Sequence, residues 1–343
     1  MMKKYLFLII LSLLSKLSKS IGELKENNSV SRLISMVRME IIDKSLQDLP
    51  RRKEVDFLQM VSKMVNARQE YSLNEAESAY LVFKWISYNI RINLYEEGLD
   101  DPIEAYNSGK GTPKALSSLF TKISYYLKVV SDSISGYLKW VNGKEIQIDR
   151  NYTWNYVEIK GEYYLLDVSL AADLKADNPD FIYLYFGTEP EIFIRQHFPK
   201  EDKWQLLSEL YTLEKFESMA LLTPFFYLLG FKTISPDITN LTKTIGDGKI
   251  ILTSDKLIPK LDLLWACLSE YDISSGNLDD YEDGSPDEKL EIEYTNEDEC
   301  SIYFISIFQD FMITSAQIVY YSLNYSKNSS LDDNYFDLEP LKK

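Results

Sequence analysis

Histidine and cysteine are scarce in this chain: one imidazole, His197, and two thiols, Cys267 and Cys300, in 343 residues. Two thiols and one imidazole make a poor tetrahedral set, which argues against a cysteine-based metal cluster; no metal and no other cofactor is expected. Both cysteines lie in the C-terminal third. In an oxidising compartment they read as a single disulfide, and otherwise as two buried thiols acting as small hydrophobes. Basic residues are also in deficit, with 37 lysines and arginines against 53 carboxylates and a net charge of −16. Polyanions are held by clustered Lys and Arg, so the balance argues against nucleic acid as a partner.

Long apolar runs are missing as well. The opening "MMKKYLFLIILSLLSKLSKS" sets Lys3 and Lys4 before an apolar run, Tyr5 to Leu14, and then the small residues Ser18 and Ser20. A run of about ten residues is too short for a ~30 Å hydrocarbon core, and the layout is that of a secretory leader cleaved after Ser20. The expected product is secreted or luminal, with no transmembrane helix after the leader; an uncleaved interfacial anchor is the other reading. Sequons at Asn27, Asn151, Asn240, Asn324 and Asn328 mark expected surface positions. The carboxylate-rich stretch Asp279 to Glu299 lacks the spacing of a calcium loop and reads as a solvated segment.

What is present is a chain 45% apolar and 13% aromatic, enough for about two domains with real cores. Val30 to Gln69 carries apolar residues at three- and four-residue steps, predicting two helices broken at Pro50. "LNEAESAYLVFKWISYNI" adds a capping-box start, Asn74 with Glu77, and an apolar stripe. In "GKGTPKALSSLF" a glycine-marked turn leads through Thr112 and Pro113 into another helix. From Val129 the texture turns β-branched and aromatic, with turns at Asn142-Gly143 and Lys160-Gly161. Thr188 reads as the cap of a short helix at Pro190. From about Ser235 strand-length runs return. The fold class is therefore α+β, helices first and antiparallel sheet after, followed by a β-sandwich.

Three pieces carry a resemblance: "AYLVFKWISYNI", "GKGTPKALSSLF" and "NYTWNYVEIKGEYYLLDVSLAAD". Their order and separation resemble the transglutaminase-like superfamily of papain-like folds. There a glycine-led turn presents a cysteine at a helix start, a histidine precedes a Trp-Asn pair on a strand, and an aspartate follows a leucine on the next strand. A helix N-terminus stabilises a thiolate, an imidazole accepts its proton and a carboxylate orients the imidazole. By this resemblance the nucleophile position falls on Pro113 and the histidine position on Tyr152, while Asp167 is kept, beside Trp154 and Asn155. The later "FIRQHFPKEDKWQLL" and the β block resemble the kyphoscoliosis-peptidase branch, which carries Ig-like sandwiches; His197 reads there as structural.

The resemblance implies a degenerate triad and a pseudoenzyme. Proline offers no thiol, hydroxyl or backbone N–H, and an unperturbed tyrosine, with a pKa of about 10, is a poor base at neutral pH. Taken singly, each residue has a plain structural reading: Thr112 and Pro113 as a helix start, Asp167 as a strand-end acid, Trp154 as a core aromatic. The expected function is peptide or protein binding in an emptied cleft lined by Thr112, Tyr152, Trp154 and Asn155. The alternatives are a residual hydrolase or acyltransferase using Thr112 or Ser117, and a structural coat protein. The expected organisation is leader 1–20, helical segment 21–70, transglutaminase-like core 71–185, helical connector 186–234, Ig-like β-sandwich 235–326 and tail 327–343.

Overall fold

A computed structural model describes residues 29–93, 100–142, 145–177, 179–228, 230–238, 240–242, 248–254, 262–268, 273–277, 289–294, 301–307 and 316–324. The expected leader, Asn27, Asn328, Cys300 and the tail lie outside the described residues, as does most of the acidic stretch.

Short helix α1 (Ser29–Leu33) and α2 (Met36–Gln47) precede a 3-10 turn at Arg52–Glu54 and α3 (Phe57–Glu70), so the chain breaks at Pro50 and again near Ser35. Helix α4 (Glu75–Asn89) starts at a complete capping box: Asn74 Oδ1 accepts the Glu77 amide at 3.0 Å, and the Glu77 carboxylate accepts the Asn74 amide at 2.9 Å. Burial raises the pKa of the Glu77 carboxyl, but the Arg38 fork, 2.6 Å to each oxygen, and the Asn74 amide outweigh it and hold it below its ordinary value. The expected single stripe proves too narrow. α4 is buried almost continuously from Ala76 to Ser87 because it runs through the middle of the helical layer, touching α2, α6 (Pro113–Tyr126) and α7 (Val168–Asp177).

Helix α5 (Pro102–Ser108) ends at Gly109, which is left-handed at φ 77°, as a C-cap glycine should be. Lys110–Gly111 then forms β2, a short parallel pair with β1 (Arg91–Ile92). The main sheet is antiparallel, in the order β6-β5-β4-β3-β7, with β3 Val130–Asn142, β4 Glu145–Ile159, β5 Glu162–Leu166, β6 Phe186–Thr188 and β7 His197–Pro199. The β4–β5 hairpin closes through Lys160 and Gly161, both at positive φ (55° and 85°), and Ile159 pairs with Glu162; two such residues suit the twist of a tight hairpin.

Strand alternation divides the sheet. Asn155 and Val157 face the helices; Tyr152, Trp154 and Tyr156 face the opposite way, with Ile134, Leu138 and Leu165. Much of that second face is covered by the part of the connector made of helix α8 (Pro190–Phe193) and a 3-10 segment at Asp202–Gln205, through Phe193 and Trp204. Helix α9 (Leu213–Ser218) packs Phe216 against Ile194 and Phe198, and α10 (Pro224–Leu228) packs Phe225 and Phe226 into the helix-side core. Thr188 does not cap α8: its hydroxyl donates to the Leu184 carbonyl at 2.7 Å, and Glu189 occupies the cap position without a side-chain bond.

Beyond the connector the described residues form two further sheets. One has the order β10-β16-β15-β12-β13, with β8 (Leu221–Leu222) attached to β16; the other has the order β14-β11-β9. Strands β9 to β16 run Phe231–Ser235, Asn240–Thr242, Gly248–Ser254, Asp262–Leu268, Ile273–Asn277, Lys289–Tyr294, Ser301–Ile307 and Ala316–Asn324. Cys267 sits in β12, Asn240 in β10 and Asn324 in β16.

Candidate functional site

The start of α6 is a finished helix cap. Thr112 is extended, and its hydroxyl accepts the Ala115 amide at 3.2 Å; Pro113, at the first helical position, is buried. The same hydroxyl donates to Asp100 Oδ1 at 2.6 Å, and Lys114 Nζ reaches Asp100 Oδ2 at 3.0 Å. These two contacts, the Thr112 bond first, hold the Asp100 carboxyl below its ordinary range. Gly111 is close-packed: a Cβ there would lie 2.7 Å from the Ala105 methyl and 2.9 Å from Leu116 Cδ1. The second hydroxyl of the alternative reading is also engaged. Ser117 Oγ is buried, 2.8 Å from Ser133 Oγ and 3.0 Å from the Trp154 carbonyl.

Asn155 ties the helix to the sheet. Its Nδ2 donates to the Ser117 carbonyl at 3.0 Å and to Thr121 Oγ1 at 3.1 Å. The helix headed by Pro113 therefore packs on one face of β4, while Tyr152 and Trp154 project from the other. Both of those rings are buried at 1% exposure, beneath the connector, and present no open wall.

On their side of the sheet stands a pair of residues that lie thirty positions apart in the chain. Asp167 follows β5, and its Oδ1 accepts the amides of Ser169 (2.8 Å) and Leu170 (3.0 Å), capping α7. Its Oδ2 lies 2.8 Å from His197 Nε2, at 0% and 1% exposure for the two side chains. A carboxylate partner makes Nε2 the donor of this bond. Phe193 stacks on that ring at 3.9 Å and 15°, and Trp154 meets it edge-on at 5.1 Å. Tyr152 lies beside the pair, its ring 6.1 Å from the imidazole. Burial first, and then the charge of Asp167, push its phenol well above the ordinary value, so it stays protonated. The structure thus joins Tyr152 and Asp167, and it adds His197, which the sequence reading left in a separate motif. β7 brings it there by pairing across β3, Leu138 with His197. The available signal was scarcity: the chain's one imidazole and an acid expected to be enclosed.

Among the described residues Trp154 Nε1 and His197 Nδ1 have no hydrogen-bond partner, while the Tyr152 phenol interacts with the Asp167 carboxylate and the Ser169 hydroxyl. The cluster is a buried base with its orienting carboxylate. It can hold a proton, but both of its members are sealed from solvent. Among the described residues no group of three or more His, Cys, Asp or Glu could hold a metal ion. None of the described helices is long and apolar enough to cross a membrane.

A buried amine lies next to this edge of the sheet. Lys139 in β3 is fully buried; its amide donates to the Gln196 carbonyl at 2.8 Å, and its Nζ donates to the carbonyls of Phe216 and Met219, at the end of α9. Burial, with Arg195 nearby, pulls its pKa down to about 7. Arg195 itself grips Asp237 in a fork at 2.6 and 2.8 Å and donates to the Ala220 carbonyl at 2.9 Å.

No family model matches the chain. Among curated proteins it is similar to kyphoscoliosis peptidase of Mus musculus and of Homo sapiens, in each case 24% identical over 214 residues, 59% of this chain and 32% of the relative. Hillarin of Drosophila melanogaster is 23% identical over 241 residues, 64% of this chain and 28% of that protein. A solved structure from Parabacteroides distasonis, provisionally described as a protease, is 16% identical with a TM-score of 0.26; the match covers 37% of this chain and 25% of the other, and at that score it carries no argument. The chain spans about a third of the length of the curated relatives it matches, and its similarity to them is distant.

Proposed function

We propose that this protein is a transglutaminase-like pseudoenzyme that acts by binding a protein or peptide. The observation that carries the reading is the start of α6. The position where the resemblance puts a nucleophile is a buried proline, and the adjacent Thr112 hydroxyl is committed to a cap and to Asp100. The group that accepts this hydroxyl's proton is Asp100, a carboxylate held below its ordinary range and therefore a weak base, in place of the imidazole that an activated nucleophile needs. In this reading the leader directs the chain to the secretory pathway, and the C-terminal sheets are an Ig-like module.

A residual hydrolase is the second reading, and one observation favours it: the buried Asp167–His197 pair supplies the base and carboxylate that Tyr152 does not. It lacks a nucleophile beside the imidazole, and the names of the peptidase relatives come from proteins of which the match covers 32%. The test is incubation of the purified protein with a labelled glutamine-peptide acyl donor, read by intact mass. The pseudoenzyme reading expects no covalent adduct; an adduct lost on Thr112→Ala or His197→Ala would overturn it.

A further inference from the structure

We propose that the uncovered end of the main sheet docks an extended, arginine-bearing segment of a protein partner. The connector covers Tyr152 and Trp154 but stops short of the end where β3 begins. Register puts Asp132 opposite Tyr156, and Val130 opposite Glu158, which pairs in turn with Tyr163. All five therefore share one face. Val130 is 57% exposed and Tyr163 46%, large values for apolar and aromatic side chains on a sheet face. Trp204 closes the patch at the side, stacked on Tyr156 at 4.3 Å and 20°. Tyr163 stands at 88° to both rings, 5.4 Å from Tyr156 and 5.5 Å from Trp204. The result is an L-shaped aromatic corner flanked by two carboxylates, Asp132 and Glu158, both close enough to raise the Tyr156 phenol after the effect of burial.

Charge complementarity selects the occupant. Aromatic faces beside carboxylates attract a cation, and a guanidinium suits them best, because its plane stacks on a ring while its N–H fork meets a carboxylate. Lys203 Nζ, tied at 2.8 Å to Glu201, already lies 5.0 Å over the Trp204 ring and acts on Tyr156 and Tyr163, so the ring left for a guanidinium is the exposed Tyr163, beside Glu158. The net charge of −16 draws the same sign of partner from a distance. An anionic segment or an acidic lipid surface would meet repulsion here.

This inference rests on the binding reading and names the chemistry of the partner. The probe is a fluorescein-labelled peptide of alternating glycine, serine and arginine, titrated with the full chain by fluorescence anisotropy, with a glutamate-for-arginine control. Saturable binding is expected for the arginine peptide alone, weakened about fivefold or more by Tyr163→Ala and by Asp132→Lys, the range of one cation–π or charge contact. Both positions are at the surface, so the fold survives. Equal binding of the glutamate peptide, or binding unchanged in both variants, overturns the proposal, as does no binding at all. Such a failure is separable from failure of the pseudoenzyme reading, which only a covalent adduct would bring down.

Discussion

At the scale of single residues, Asp167 has three tasks at once. It ends β5, caps α7 and holds His197, all without solvent. Removing either partner leaves the other buried and unsatisfied, so Asp167→Ala and His197→Ala should each cost about 3 kcal/mol. The double variant should cost clearly less than the sum, with a coupling of about 1–3 kcal/mol. Urea denaturation of the four proteins measures this, and additive losses would show that the pair is not a unit. The acid was legible from the Leu-Asp motif; its partner was not, because the pairing depends on β7 crossing to β3 far along the chain. Gly136 shows the same blindness to packing. A Cβ there would lie 2.2 Å from the Trp154 ring and 2.3 Å from the Phe198 carbonyl, and nothing in the local sequence announces so close an approach.

At the scale of elements, capping was the most readable feature. Asn74 with Glu77 and Thr112 with Pro113 are local signals, and local backbone chemistry decides where those helices start. Thr112→Ala should cost about 1 kcal/mol by freeing a helix amide, and Pro113→Ala about half as much by loosening the unfolded chain. Chemical denaturation checks both; a larger loss at Pro113 would point to a role beyond the helix start. The clasp between β3 and the end of α9 was not readable, since a lysine in a strand gives no sign that its amine ends among carbonyls. Its sign with pH follows from the depressed value. Between about 7 and 10.5 the unfolded lysine keeps its proton while the buried one releases it, so stability rises with pH through that window. The gain should approach about 1 kcal/mol per pH unit. Lys139→Met should flatten the slope in denaturation midpoints measured from about pH 7.5 to 9.5, and a wild-type slope no steeper than that of the variant would refute the assignment.

At the scale of the whole molecule, composition gave an expectation about the partner and left the arrangement open. The α+β plan was legible because strand texture begins at Val129 after a run of helical periodicity, whereas the helix at Val168–Asp177 between two strands and the covering of one sheet face by the connector depend on contacts that no periodicity encodes. A charge of −16 makes the compact state repel itself. Screening from about 20 to 300 mM salt should therefore raise the thermal midpoint. A fall would mean that ion pairs such as Arg195–Asp237 and Lys84–Asp43 outweigh the general repulsion.

The buried pair of Asp167 and His197 also bears on how such a chain can change over generations. Either substitution alone strands a partner in the interior and costs stability, so single replacements are disfavoured at both positions. An aspartate held in this way resists drift whether or not chemistry ever returns to the helix start. A surviving acid at this place in other chains of this design then records an obstacle to mutation, and it need not be counted as a trace of activity.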